Sequence, residues 1–145
     1  MAGLLVLQAI MILKLFRYLW ASPVTALGLL FVLPELFGKG RIKIVDGVME
    51  IHGGLAAWFL RRCTPMPGGA TAMTLGHVVL GRNQISLDRT RSHERIHVRQ
   101  CERWGPAFVP AYLLASLWAL IMRRDPYLGN FFEREAMRKS AFSRQ

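Results

Sequence analysis

The sequence predicts an α+β fold, in which a small, mostly antiparallel sheet packs on one long helix and the helices after it, behind an N-terminal apolar helical hairpin. Three observations carry this expectation. Residues 1–38 are dominated by two uncharged runs, Met1–Leu13 and Leu19–Pro34. Asp46-Gly47 sits between two alternating apolar segments, a hairpin signal because both central residues of the favoured turn need positive φ. Asp88–Trp104 contains no helix breaker and ends at Gly105-Pro106.

The elements follow in order. Lys14 and Arg17 come after the first apolar run, where a secretory signal would carry its base in front, so a cleaved leader is not expected. Ser22-Pro23 reads as a second helix start, with Ser as N-cap and Pro at the first helical position, and Gly38 and Gly40 as its stop. Neither run comfortably reaches the roughly 20 residues of a bilayer crossing. A membrane-embedded or interfacial hairpin with its basic residues at the headgroups is expected instead. The Asp46-Gly47 turn pairs Val45 with Val48, Ile44 with Met49, Lys43 with Glu50 and Ile42 with Ile51. Ile42, Ile44, Met49 and Ile51 then share one face, and Lys43 opposes Glu50 on the other. Leu55–Arg62 suits a strand or a short helix, Pro65–Gly69 is a loop, and Ala70–Leu80 reads as one further strand. Three helices complete the chain: Asp88–Trp104 capped by Asp88, Ala107–Arg123, and Phe131–Phe142 capped by Asn130. The uncharged stretch Pro106–Met122 suits a core helix and a membrane contact equally.

Composition narrows the function. With 52% hydrophobic residues the chain is too apolar for intrinsic disorder. Its two cysteines, Cys63 and Cys101, cannot build a disulfide framework. A net charge of +10 on an apolar chain, with mean hydropathy +0.27, points to an anionic membrane surface before nucleic acid. Arg91, Arg95 and Arg99 form a stripe that could track phosphates, but Glu102 matches it and no aromatics interleave. A solvated face or a headgroup contact is expected there, and nucleic-acid binding is not.

One motif carries chemistry. His93-Glu-Arg-Ile-His97 is an HExxH, and with four histidines in the chain chance supplies about 0.004 such matches. His93 and His97, one turn apart, stand above one another on a helix face and can reach one tetrahedral metal ion. Glu94 projects beside the open position, where a carboxylate can take a proton from an activated water. Catalytic zinc normally has three protein ligands, so a third is required. Glu133, Glu135, His52, His77 and Cys101 are candidates. Glu133 shares a helix face with Ala136, Met137 and Ser140, the expected packed side. Glu135 aligns with Arg138 and Lys139 on what should be a solvated side. Periodicity therefore selects Glu133. Its bland alternative is a capping role three residues after Asn130. His77 and His52 read as strand residues and Cys101 as a half-buried thiol, while Tyr112 and Tyr127 are weaker candidates to donate to an oxyanion.

A strand, an HExxH helix and a later helix bearing Glu133-Arg-Glu-Ala136 resemble the gluzincin branch of the zincin metallopeptidases. The stretches Thr74–Gly81, Arg91–Gln100 and Glu102–Pro106 look like small bacterial membrane-associated proteins of that minimal type. The resemblance covers about residues 40–140. It implies zinc held by His93, His97 and Glu133, with Glu94 as general base and proton shuttle. It also implies that Thr71–Leu80 runs beside bound substrate. Residues 1–38 are then membrane-associated helices and 39–145 a minimal zincin-like domain. The expected function is a membrane-associated zinc metallopeptidase acting on a peptide or protein at the bacterial inner membrane. The alternative is a zinc-stabilised, non-catalytic membrane scaffold.

Overall fold

The computed structural model describes residues 1–142, so the last three residues of the expected second domain, 143–145, lie outside it. It is a mixed α and β fold with one four-stranded sheet.

The N-terminal hairpin is not formed. A single helix, α1 (Ala2–Leu29), runs straight through Pro23, and a short α2 (Val32–Phe37) follows it. Proline has no N–H to offer the Leu19 carbonyl one turn back. The Ser22 hydroxyl donates to that carbonyl instead, at 2.7 Å, and the helix survives the residue expected to start a new one. The two halves of α1 have different surroundings. Leu4, Leu7, Met11, Ile12 and Leu15 stand exposed on the first half. On the second, Ala21 and Val24 are buried among Cys101, Phe108 and Phe132, and Gly28 leaves no room for a side chain beside Val78.

The hairpin β1 (Arg41–Val45) and β2 (Val48–His52) has the expected register, with Asp46 at φ 49° and Gly47 at φ 77°. Ile42, Met49 and Ile51 share one packed face as expected, and Ile44 on the same face is 68% exposed on the edge strand. The opposite face is covered as well: Glu50 is 2% exposed under a helix that supplies its counterions. Gly54–Arg62 is a helix, α3, whose N-terminal Ala56 N–H donates to the buried Glu35 carboxylate at 2.8 Å. An anion is favoured at that end of a helix. Ala70–Leu80 is a hairpin and not one strand: β3 (Ala72–Leu75) turns through Gly76, at φ 65°, into β4 (Val78–Gly81). The sheet order is β1-β2-β4-β3. Its central β2–β4 pair is parallel, which needs a crossover, and α3 lies within that connection. Ile51, Leu60, Val78 and Leu80 fill the core on one face, and Val48, Val79, Leu87 and Val98 fill it on the other.

The histidine helix, α4 (Gln84–Trp104), begins four residues before Asp88, because Asn83 caps it by accepting from the Ser86 N–H at 2.8 Å. A 3₁₀ turn (Gly105–Ala107), α5 (Phe108–Ile121) and α6 (Phe131–Phe142) follow. Two helical stretches, Gly3–Leu29 and Gln84–Ile121, are long and apolar enough to cross a membrane, the apolar part of the second being α5.

Gly76 joins α1 to the sheet. A Cβ there would meet the Thr25 backbone, at 2.5 Å from its nitrogen, and the Thr25 hydroxyl accepts from the His77 N–H at 3.1 Å. Gly76→Ala is expected to destabilise the fold by at least the about 1–3 kcal/mol of a forced left-handed residue. Thermal unfolding in detergent should show the loss, with faster tryptic cleavage after Arg17 as α1 loosens.

Candidate metal centre

Electrostatics set α4 on the sheet. Arg91 grips Glu50 with two hydrogen bonds of 2.8 and 2.9 Å, and Arg95 donates to the Val45 carbonyl at 2.7 Å. Two members of the expected solvated stripe thus hold α4 down over the hairpin, since a buried Glu50 needs cations. This turns His93 and His97 toward α6.

Asn130 places the third residue. Fully buried, it donates to the Tyr112 carbonyl (3.1 Å) and the Ser116 hydroxyl (2.7 Å) of α5, and it accepts from the Phe132 N–H (2.8 Å). The cap expected from the sequence therefore also ties α6 to α5, and Glu133 falls inward three residues later. It does not turn back to cap. Its Oε2 lies 3.1 Å from His93 Nε2 and its Oε1 3.3 Å from His97 Nε2, while the two Nε2 atoms are 3.0 Å apart.

These separations suit a metal. Ligand atoms at the zinc bond lengths of about 2.0–2.1 Å in a tetrahedron stand roughly 3.3 Å apart. The cluster also presents two imidazole nitrogens and a carboxylate oxygen to one point. Two imidazoles and one carboxylate suit zinc among common divalent ions. Among the described residues this is the one cluster of three metal-ligating side chains so arranged. Burial alone would raise the Glu133 carboxyl. Hydrogen bonds from His93, His97 and Tyr112 overcome that and hold it well below the usual carboxylate range.

Glu94 lies on the same turn. Its carboxylate accepts from the Thr74 hydroxyl at 2.7 Å, Thr74 being on β3, the edge strand beside α4. Burial raises the Glu94 carboxyl, against the opposing pull of His97 and the Thr74 hydrogen bond. A carboxylate raised in this way is a better proton acceptor near neutral pH.

The remaining candidates separate cleanly. His77 is in the β3–β4 turn and not in a strand, where its ring stacks on Tyr18 at 3.8 Å and its Nε2 lies 3.1 Å from Glu102. His52 ends β2 opposite Arg41. Cys101 is fully buried in the apolar core, which pushes its thiol up to about 12. Tyr112 donates to Glu133 Oε1 at 2.6 Å, and burial beside Glu133 pushes the Tyr127 phenol above its usual range.

Glu135 is not on a solvated side. It is 8% exposed and accepts from Gln100, Arg103 and Lys139 at 2.7, 3.0 and 2.6 Å. The i+4 lysine was legible, but its two partners on α4 were not. Gln100, fully buried, is the residue the sequence reading missed. Its Oε1 lies 2.8 Å from His97 Nδ1, and its Nε2 donates to Glu135 and to the Phe132 carbonyl. It therefore fixes which nitrogen His97 turns to the cluster, the usual task of a partner behind a ligating imidazole. Its position one turn beyond His97 was the available signal. Burial alone would raise the Glu135 carboxyl, but the hydrogen bonds from Lys139, Gln100 and Arg103 win and lower it from 4.5 to about 2. A depressed folded pKa stabilises above the unfolded value and loses that contribution as pH falls toward the folded one. The wild type should lose melting temperature between about pH 4.5 and 2 more steeply than Glu135→Gln, measured side by side.

No protein-family model, no curated protein and no solved structure matches the chain.

Proposed function

We propose that the chain is a membrane-associated, zinc-dependent metallopeptidase of gluzincin type. The observation that carries the reading is the convergence of His93 Nε2, His97 Nε2 and Glu133 at tetrahedral spacing, with the buried Glu94 one residue from His93. A zinc ion bound there supplies Lewis-acid activation of water and of a peptide carbonyl. Glu94 accepts the proton of the attacking water and returns it to the leaving amine, so the peptide C–N bond breaks as water adds across it. Thr74 holds the Glu94 carboxylate in place. Gln100 holds His97, and Tyr112 holds Glu133. The edge strand β3 offers its unpaired side to an extended peptide. Residues 1–38 attach the chain to a membrane with an anionic surface, for which we propose the bacterial inner membrane. The exposed apolar side chains of α1 support the attachment.

A second reading, a zinc-stabilised scaffold without turnover, has one observation in its favour. The two recesses described in the protein open between α1 and α4 and beside Arg103, and neither touches the triad. The experiment that separates the readings incubates the detergent-solubilised full chain with a denatured protein and maps new termini by mass spectrometry. Cleavage abolished by a zinc chelator and restored by zinc is the expected result. A chain that retains zinc and cuts nothing establishes the scaffold.

A further inference from the structure

A recess of about 480 Å³ lies between α1 and α4, on the far side of the histidine helix from the triad. Four cations line it: Lys14 and Arg17 from α1, and Arg95 and Arg99 from α4. Two carboxylates, Asp46 and Glu102, share its wall. Glu102 is engaged by His77 at 3.1 Å and by Arg17 at 4.0 Å. Lys14 and Arg99 make no hydrogen bond or ion pair among the described residues, and Nη1 of Arg95 is buried without a partner. His77, itself 5% exposed, lines the recess with a buried Nδ1 that has no partner either. The recess therefore combines an excess of positive charge with two cations, Lys14 and Arg99, that the fold leaves unpaired.

Its other wall is apolar. Ile10 and Leu13 belong to the exposed first half of α1 and open into the same recess. From Gly3 to Leu13 the helix extends about 16 Å, at 1.5 Å per residue. That is roughly half of the about 30 Å hydrocarbon thickness of a bilayer. Were Lys14 and Arg17 to stand at headgroup level, the free end of α1 would reach the bilayer midplane and the recess would open at the lipid phosphates. The Tyr18 hydroxyl donates to the Gly47 carbonyl at 2.7 Å, which ties the first sheet turn to the same level.

We propose that this recess is a binding site for the phosphate of an anionic lipid headgroup, with the lipid's chains lying along Ile10 and Leu13. The inference rests on the membrane attachment proposed above and gives it an address. Lys14 and Arg99 contact the phosphate. Both are free of structural duties, so replacing them leaves the fold intact.

The test delivers the full chain from detergent to vesicles of phosphatidylcholine alone, or of phosphatidylcholine with phosphatidylglycerol, and measures partitioning by flotation. Wild type is expected to prefer the anionic vesicles. Lys14→Gln with Arg99→Gln should lower that preference by on the order of fivefold per charge removed. Arg123→Gln with Arg124→Gln, two exposed basic residues outside the recess, should lower it far less. Equal losses in the two double variants would show diffuse attraction and overturn the site. Competition by inorganic phosphate at constant ionic strength would assign the recess to free phosphate and overturn the lipid. Equal binding to both vesicle types leaves attachment standing and removes the headgroup site. No binding to either removes the attachment and the inference together.

Discussion

Glu94→Gln is expected to keep its zinc and to lose hydrolysis by about a hundredfold to ten-thousandfold, the range for removing a positioned general base. The amide fills the same space and can still accept from the Thr74 hydroxyl, which now bonds Glu94 at 2.7 Å. What disappears is the basic carboxylate that takes the proton of water. Burial raises the Glu94 carboxyl above its ordinary value of 4.5. The ionised form is the base, so activity falls as pH drops through the Glu94 titration, and Glu94→Gln removes that acidic limb of the rate profile. Metal content and melting temperature measured on the same preparation separate lost chemistry from lost fold.

Glu133→Ala is expected to release the metal. Two imidazoles alone leave two coordination positions to water, whereas His93, His97 and Glu133 together meet the three-ligand requirement of a catalytic site. Tyr112 would keep its place through Phe132 and Phe108, both about 6 Å from its ring centre, so the wall around the site persists. Glu135→Ala is the matched control: it removes a carboxylate from the same helix without touching either Nε2. Gln100→Ala should fall between the two, weakening zinc by about 10–100-fold through a freed His97.

The local chemistry of this chain could be read from its sequence where a few neighbouring residues decide it. The Asp46-Gly47 turn, with its strand register, and the bounds of the last helix are of that kind, because positive φ and a capping Asn are local demands. Periodicity likewise turned Glu133 inward. The departures arose where a distant partner changed a residue's fate. Pro23 continues a helix because the Ser22 hydroxyl takes the carbonyl that proline leaves free. Glu135 aligns in sequence with Arg138 and Lys139, and Glu50 has only Lys43 opposite it, yet both are buried by arginines of α4, 32 and 41 residues away. Gly76 sits in a run of β-formers, and only its approach to Thr25 explains why the chain turns there. The parallel β2–β4 pair is likewise a consequence of the crossover and leaves no mark on either strand.

A metal ion held by His93, His97 and Glu133 is the centre of the proposed function. Elemental analysis of the purified wild type, loaded with zinc and dialysed exhaustively, tests it most directly. One zinc per chain, with X-ray absorption showing two imidazole nitrogens and a carboxylate oxygen around it, is the expected result. A chain that stays folded and holds no zinc after remetallation would contradict the account, and the three side chains would then be a buried hydrogen-bonded cluster linking α4 to α6.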